Sequence, residues 1–310
     1  MAVHTQSALS AAHSLDAVPS IGRASLAVDA RSDLGEGPLW SAREQAIYWI
    51  DCSNRSISRH FPASGKTDRF ALSGLPGSFA FRSTRGLIVA FRNRLALVDL
   101  DQGTEVAIAS PCVNFAKERF NDGKCDSRHR FFVGTMEKDR ASPGGGLFRV
   151  DADLTVTKVA DDITLSNGLA WSPDEKIMYH CESRPGLIYA YDYDANTGTV
   201  AQRRVLIDTS ASGFHPDGCA RDVEGCLWVA LPGSGKIARI SPAGVLLATL
   251  EVPTPRVTSV AFGGENLDKL YITSMRYNLP ESVLAANPTA GGVFVAEPGV
   301  RGMAEPLFGG

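Results

Sequence analysis

Short apolar runs, each entered through a glycine or a polar group and left through a turn, recur along the whole chain. Six segments share this outline: EGPLWSAREQAIYWID, GSFAFRSTRGLIVAFR, DGKCDSRHRFFVGTME, NGLAWSPDEKIMYHCE, DGCARDVEGCLWVALP and TSVAFGGENLDKLYIT. Each reads as a short strand, a turn and a strongly apolar strand. A third strand such as GLFRVD, LIYAYDYD, KIARISP or GGVFVAE follows, and in several a fourth, VTKVADDI or QRRVLIDT. Trp40, Phe81, Asp126, Trp171, Arg221 and Phe262 mark equivalent places in the six units. A period of roughly 40–50 residues with four short strands per unit is that of propeller blades. PASGK, DLDQG, DANTG and SPAG supply the turns between strands. No long stretch carries helical periodicity. The pattern predicts an all-β chain folded as a six-bladed β-propeller with a central, metal-binding channel, in preference to a pair of packed β-sandwiches.

Composition narrows the setting. The chain has 310 residues, 44% of them hydrophobic, which is ample for a sizeable core. A single propeller domain is expected over residues 23–310, with a flexible tail over 1–22. A net charge of -3 gives no bulk attraction to nucleic acid. No apolar run is long enough to span a membrane. The opening MAVHTQSALSAAHSLDAVPS lacks a basic and an apolar signal region. The six cysteines, Cys52, Cys112, Cys125, Cys181, Cys219 and Cys226, include no C-x-x-C pair. Free thiols and a cytoplasmic protein are the expectation.

In a propeller the innermost strand of each blade starts beside the axis. The same place in every repeat therefore points at one spot from six directions. That place reads Glu36, Gly77, Asp122, Asn167, Asp217 and Thr258. Converging carboxylates repel unless a cation or shared protons offset them. Two or three carboxylates with an amide oxygen suit a hard divalent ion such as calcium, magnesium or manganese, and zinc and iron(II) stay open. The competing reading is ordinary turn chemistry, since Asn-Gly and Asp-Gly occur wherever a chain bends.

Other motifs lead elsewhere. YDYDANTG has its glycine one place too late for a calcium loop, and Arg203 stands where the bidentate glutamate belongs, so it reads as a strand-connecting turn. DLDQG fails likewise, PGSGK lacks the phosphate-loop frame, and neither G-x-S-x-G nor H-E-x-x-H occurs. Trp40, Trp49, Trp171 and Trp228 read as packing between blades. Lys124 is expected at or behind the channel mouth without a catalytic role, and His215 as a loop residue near the pocket.

The motifs LGEGPLW, RFNDGKCD, GTM, LSNGLAWSPD and HPDGCARDVEGCLWVA, with the late pattern from Thr273 to Phe294, resemble the regucalcin/gluconolactonase/luciferin-regenerating-enzyme family from about residue 29 onward. The resemblance implies a six-bladed propeller with one divalent metal ion (Ca2+, Zn2+, Mn2+, Mg2+ or Fe2+) held by Glu36, Asn167 and Asp217. It implies Arg119, Asn121 and Glu137 as substrate contacts and Asp122 as a close neighbour holding a water. The implied reaction is hydrolysis of a small sugar-acid lactone, such as glucono-, xylono-, arabinono- or galactonolactone, to the aldonic acid. Asp217 would then serve as both ligand and base. A calcium-binding regulatory protein of the regucalcin type is the alternative, and a protein-docking scaffold a third reading.

Overall fold

The computed structural model describes residues 15–110, 112–138 and 143–310. Six sheets form six blades: five are built on four consecutive antiparallel strands, and the sixth on three consecutive strands and one from early in the chain. Their innermost strands are Gly35–Ser41, Pro76–Phe81, Glu118–Cys125, Ser166–Trp171, Cys219–Arg221 and Val257–Gly263. The sequence repeat and the blades coincide. The second strand of each blade is apolar on both faces because a neighbouring blade covers each; Ala46–Asp51, Leu87–Phe91 and Leu227–Leu231 are buried throughout. The expected free thiols are observed for all six cysteines.

Two departures from blade regularity close the ring. Ser25–Val28, which precedes blade 1 in the chain, pairs with Val293–Ala296 as the outermost strand of blade 6. Just before it, Ser20–Arg23 adds a fifth, parallel strand to the edge of blade 5. The flexible tail expected over 1–22 therefore gives way within the described part. Leu15 is buried and Val18 packs on the same blade core, because apolar side chains there cover an otherwise open sheet edge. Residues 1–14 lie outside the described residues.

At the other end, the segment after blade 6 crosses the face opposite the candidate site. Asp222 bridges Gly302, Arg82 bridges Phe308, and the Gly309 N–H donates to the His129 carbonyl. Phe308 is fully buried in the core shared by blades 2 and 3. Lys124 turns into the channel beneath, where its Nζ donates to Glu305 Oε1 and to the Cys219 carbonyl, both at 2.8 Å.

Phe308→Ala removes a whole buried ring from this crossing segment. It is expected to cost about 3–5 kcal/mol, read as a lower urea midpoint with an unchanged denaturant slope.

Candidate functional site

Five of the six innermost strands break register at the same repeat position: between Glu36 and Leu39, Pro76 and Ser78, Phe120 and Gly123, Ser166 and Leu169, and Val257 and Ser259. In blade 5 the strand begins only at Cys219, just past Asp217. Such bulges re-aim side chains at a sheet's edge. Here they sit at the residues for which the sequence predicts convergence.

Hydrogen bonds pass from blade to blade at this level. Arg92 accepts from the Phe120 N–H (3.1 Å), and Asn121 Nδ2 donates to the Ser166 carbonyl (2.7 Å). The Gly168 N–H donates to the Asp217 carbonyl (3.2 Å), and that of Gly218 to Thr258 (2.9 Å). Thr258 Oγ1 closes on the Gly35 carbonyl at 2.6 Å. Thr258 is thus a structural member of the ring. So is Gly77, where a Cβ would stand 2.7 Å from the Asn121 carbonyl oxygen, so that only glycine allows blades 2 and 3 this approach.

Glu36, Arg119, Asn121, Asp122 and Asn167 line one cavity together with Cys52, Gly77 and Arg92. Its volume, about 30 Å³, has room for an ion or a water or two, not for a sugar ring. A far larger cavity, about 490 Å³, lies elsewhere, between blades 1, 2 and 6 and the crossing segment. Trp40, expected in blade packing, stacks on Tyr271 and also lines that larger space. Charge, not volume, distinguishes the small cavity. Burial pushes the Glu36 carboxyl well above its ordinary range, and the Asp217 and Asp122 charges push it further. Asp217 is raised in the same way, by burial and then by Asp122. Burial lifts Asp122 to about 6, against the opposing pull of Lys124. Asp217 Oδ1 is buried with no hydrogen-bond partner among the described residues.

The amides are wired to one another. Arg119 Nη1 donates to Asn121 Oδ1 (3.1 Å), and Asn121 Nδ2 donates to Asn167 Oδ1 (2.9 Å). Asn167 Nδ2 donates to Ser183 Oγ (2.5 Å), which donates in turn to the Pro216 carbonyl (2.6 Å). This chain fixes Asn167 with its oxygen on the Asn121 side. Both N–H groups of Asn121 are committed, so it has only acceptor capacity left for a ligand. Glu137 stands apart from the cavity lining: it ends the second strand of blade 3 opposite Glu118, with its carboxylate against Gly144. His215 Nδ1 meets the Ser183 carbonyl at 2.7 Å, a loop contact beside the pocket.

Sequence reasoning missed a second ring. In five blades, the first residue past the second strand donates its N–H to a carbonyl just before or at the start of the first strand. These residues are Cys52, Arg92, Lys138, Ser183 and Met275, bonded to Leu34, Leu75, Lys117, Leu165 and Arg256. Cys52 and Arg92 line the cavity, and Ser183 holds Asn167. The available signal was positional: each directly follows the most apolar run of its repeat. The Cys52 thiol is held protonated, pushed well up by burial and by Glu36. Deeper still, Asp122 also lines the lower channel with Lys124 and Glu305, neither of which faces the upper cavity.

Among the described residues, no three His, Cys, Asp or Glu side chains cluster at metal-ligating range. A metal set here therefore has to include the amide, as Glu36, Asn167 and Asp217 do. The donors fit a hard cation: two carboxylates that repel each other, one orphaned buried oxygen and an amide oxygen locked by its neighbours.

A carboxyl whose folded pKa exceeds its unfolded one binds its proton more tightly when folded. Its contribution to stability rises as pH falls from about 6 toward the ordinary 3.8 for Asp122 and is lost on the way up. In chelator-treated protein, lowering the pH from about 7 to about 5 is expected to raise the urea midpoint of the native chain relative to that of Asp122→Asn. Parallel midpoints would contradict the assigned environment.

Comparison with known proteins agrees with the geometry. Residues 34–276 match the SMP-30/Gluconolactonase/LRE-like region. A 6-deoxy-6-sulfogluconolactonase from Pseudomonas putida is 40% identical over 280 residues, covering 90% of this chain and 96% of the relative. Regucalcin of Danio rerio is 34% identical over 278 residues, covering 88% and 94%. The crystal structure of a calcium-binding protein, regucalcin, from Agrobacterium tumefaciens superposes with a TM-score of 0.88 at 28% identity, covering 94% of this chain and 98% of that one.

Proposed function

The chain belongs to the SMP-30/gluconolactonase/LRE-like family, and from that premise we propose that it hydrolyses sugar-acid lactones at the cavity shared by Glu36, Arg119, Asn121, Asp122 and Asn167. The observation that carries this reading is an ion-sized cavity lined jointly by acids, amides and Arg119. Asp217 Oδ1 lacks a partner, the acids repel, and Arg119 stands beside them.

Glu36, Asn167 and Asp217 would hold a divalent cation. When bound, such an ion supplies Lewis-acid stabilisation of the oxyanion of ester cleavage and lowers the pKa of water. The remaining work falls to side chains. Asp217 accepts a proton from the attacking water at a carboxylate oxygen. The water oxygen bonds to the lactone carbonyl carbon, the ring C–O bond breaks, and the ring oxygen leaves as a hydroxyl bearing that proton. Arg119 donates to a sugar oxygen, and Asn121 accepts from a sugar hydroxyl with its remaining lone pair. Glu137, at the end of the second strand of blade 3, would accept from a further hydroxyl of the part of the sugar outside the cavity. Asp122 holds a water in place and sets the local field. The enclosed cavity takes only the reacting end, so the rest of the sugar lies at the mouth.

Treatment with a chelator is expected to abolish lactone hydrolysis, and added Ca2+, Zn2+, Mn2+ or Mg2+ to restore it. Equal turnover by metal-free and metal-loaded protein would contradict the mechanism. Asp217→Asn should lower kcat about 10²–10³-fold and weaken metal binding measured by calorimetry. Arg119→Ala should raise KM or lower kcat while leaving metal affinity within a few-fold. Unaltered turnover in Arg119→Ala would remove Arg119 from the substrate contacts, whereas metal binding by native protein without turnover on any lactone would favour a calcium-binding regulator instead.

A further inference from the structure

Several arginines on the blades are neutralised by a carboxylate. Arg94, two residues from Arg92 in the same hairpin, pairs with Glu105 at 2.7 Å and lies over the Phe91 ring. Arg59, Arg130, Arg149 and Arg239 each meet a carboxylate within 3.0 Å. Arg92 does not. It is half-buried, its Nε is buried with no hydrogen-bond partner, and it forms no ion pair among the described residues. A half-buried guanidinium that no carboxylate pairs directly keeps donors available for an anionic group.

Its place is also fixed. The Arg92 N–H donates to the Leu75 carbonyl at 2.9 Å, and its own carbonyl accepts from the Phe120 N–H at 3.1 Å. These two bonds anchor it at the junction of blades 2 and 3, one residue from both Arg119 and Asn121 in the partner strand. Its side chain lines the same cavity as Glu36, Arg119 and Asn167. With only the reacting end of a lactone inside this cavity, the substituents that lead to its mouth would pass the lining, this guanidinium included.

We propose that Arg92 is a specificity-determining residue that receives an anionic substituent on the lactone, a sulfonate, phosphate or carboxylate remote from the reacting ester. The planar fork of a guanidinium matches the oxygens of all three groups, and a neutral hydroxymethyl group cannot use it as well. The inference rests on the lactonase reading and names the class of substrate within it.

The test compares kcat/KM of metal-loaded native protein and Arg92→Ala on four lactones: gluconolactone itself and its C6-sulfonate, C6-phosphate and C6-carboxylate counterparts. Native protein is expected to favour at least one anionic substrate. In Arg92→Ala the ratio of anionic to neutral kcat/KM should fall about ten- to a hundredfold, with Arg92→Lys recovering part of it. Which anion is favoured identifies the substituent. A native preference for the neutral lactone, or a ratio that moves less than about threefold in both variants, overturns the proposal while leaving the lactonase reading in place. Calorimetric titration with methanesulfonate provides a readout independent of turnover. Binding by native protein that is lost in Arg92→Ala and kept in Arg92→Lys supports the anion site. Equal binding by all three overturns it. If no lactone is hydrolysed with any metal, the lactonase reading fails, and the titration alone decides whether Arg92 receives an anion.

Discussion

Three carboxylates aimed at one axis repel one another, and the protein is arranged to keep them there. Glu36 arrives from blade 1, Asp122 from blade 3 and Asp217 from blade 5, each pushed toward its neutral form by burial, Asp217 also by Asp122 and Glu36 by both. Nothing local to any one blade would hold such a charge in place. What holds it is the ring: blade-to-blade hydrogen bonds through Phe120, Ser166, Asp217, Thr258 and Gly35, closed by the early strand Ser25–Val28 joining the last blade. Electrostatic cost at the centre is offset by packing at the periphery, where the second strands of the blades are buried on both faces.

The amide network explains why the site is not simply an acid cluster. Asn167 would be free to turn either end toward a cation if it stood alone. Ser183 accepts from its nitrogen and thereby fixes the orientation of its oxygen. Asn121 does the same from the other side and transmits the position of Arg119. The polar residues around the cavity therefore work as a connected frame, in which a change at Ser183 or Asn121 would be felt at Asn167.

Much of this was legible because the fold is repetitive. A repeat of fixed outline assigns one residue per blade to the axis, so Glu36, Asn167 and Asp217 could be grouped although some 180 positions separate the first from the last. The same logic over-included: Gly77 and Thr258 occupy the slot for reasons of packing and hydrogen bonding. It also under-included. Arg92 stands at a second repeated position, recognisable only once the end of each apolar strand is known to return to the level of the bulge. Glu305 was illegible for the opposite reason: the segment that carries it belongs to no repeat, and only tertiary contact with Lys124 reveals its place. The ordered docking of Leu15 and Ser20–Arg23 escaped notice because polar, short strands at a sheet edge carry little pattern.

The crossing segment leaves the channel with a floor. Lys124 and Glu305 lock together across it, and Pro306 lines the space beside them. On this side the channel is occupied by the crossing segment. A ligand entering from the upper cavity would have to leave on the same side, past the Arg92 and Arg119 that line it. Ring opening turns an uncharged ester into a carboxylate, so the departing molecule is more strongly held by that lining than the arriving one. Grip on the way in is repaid as drag on the way out.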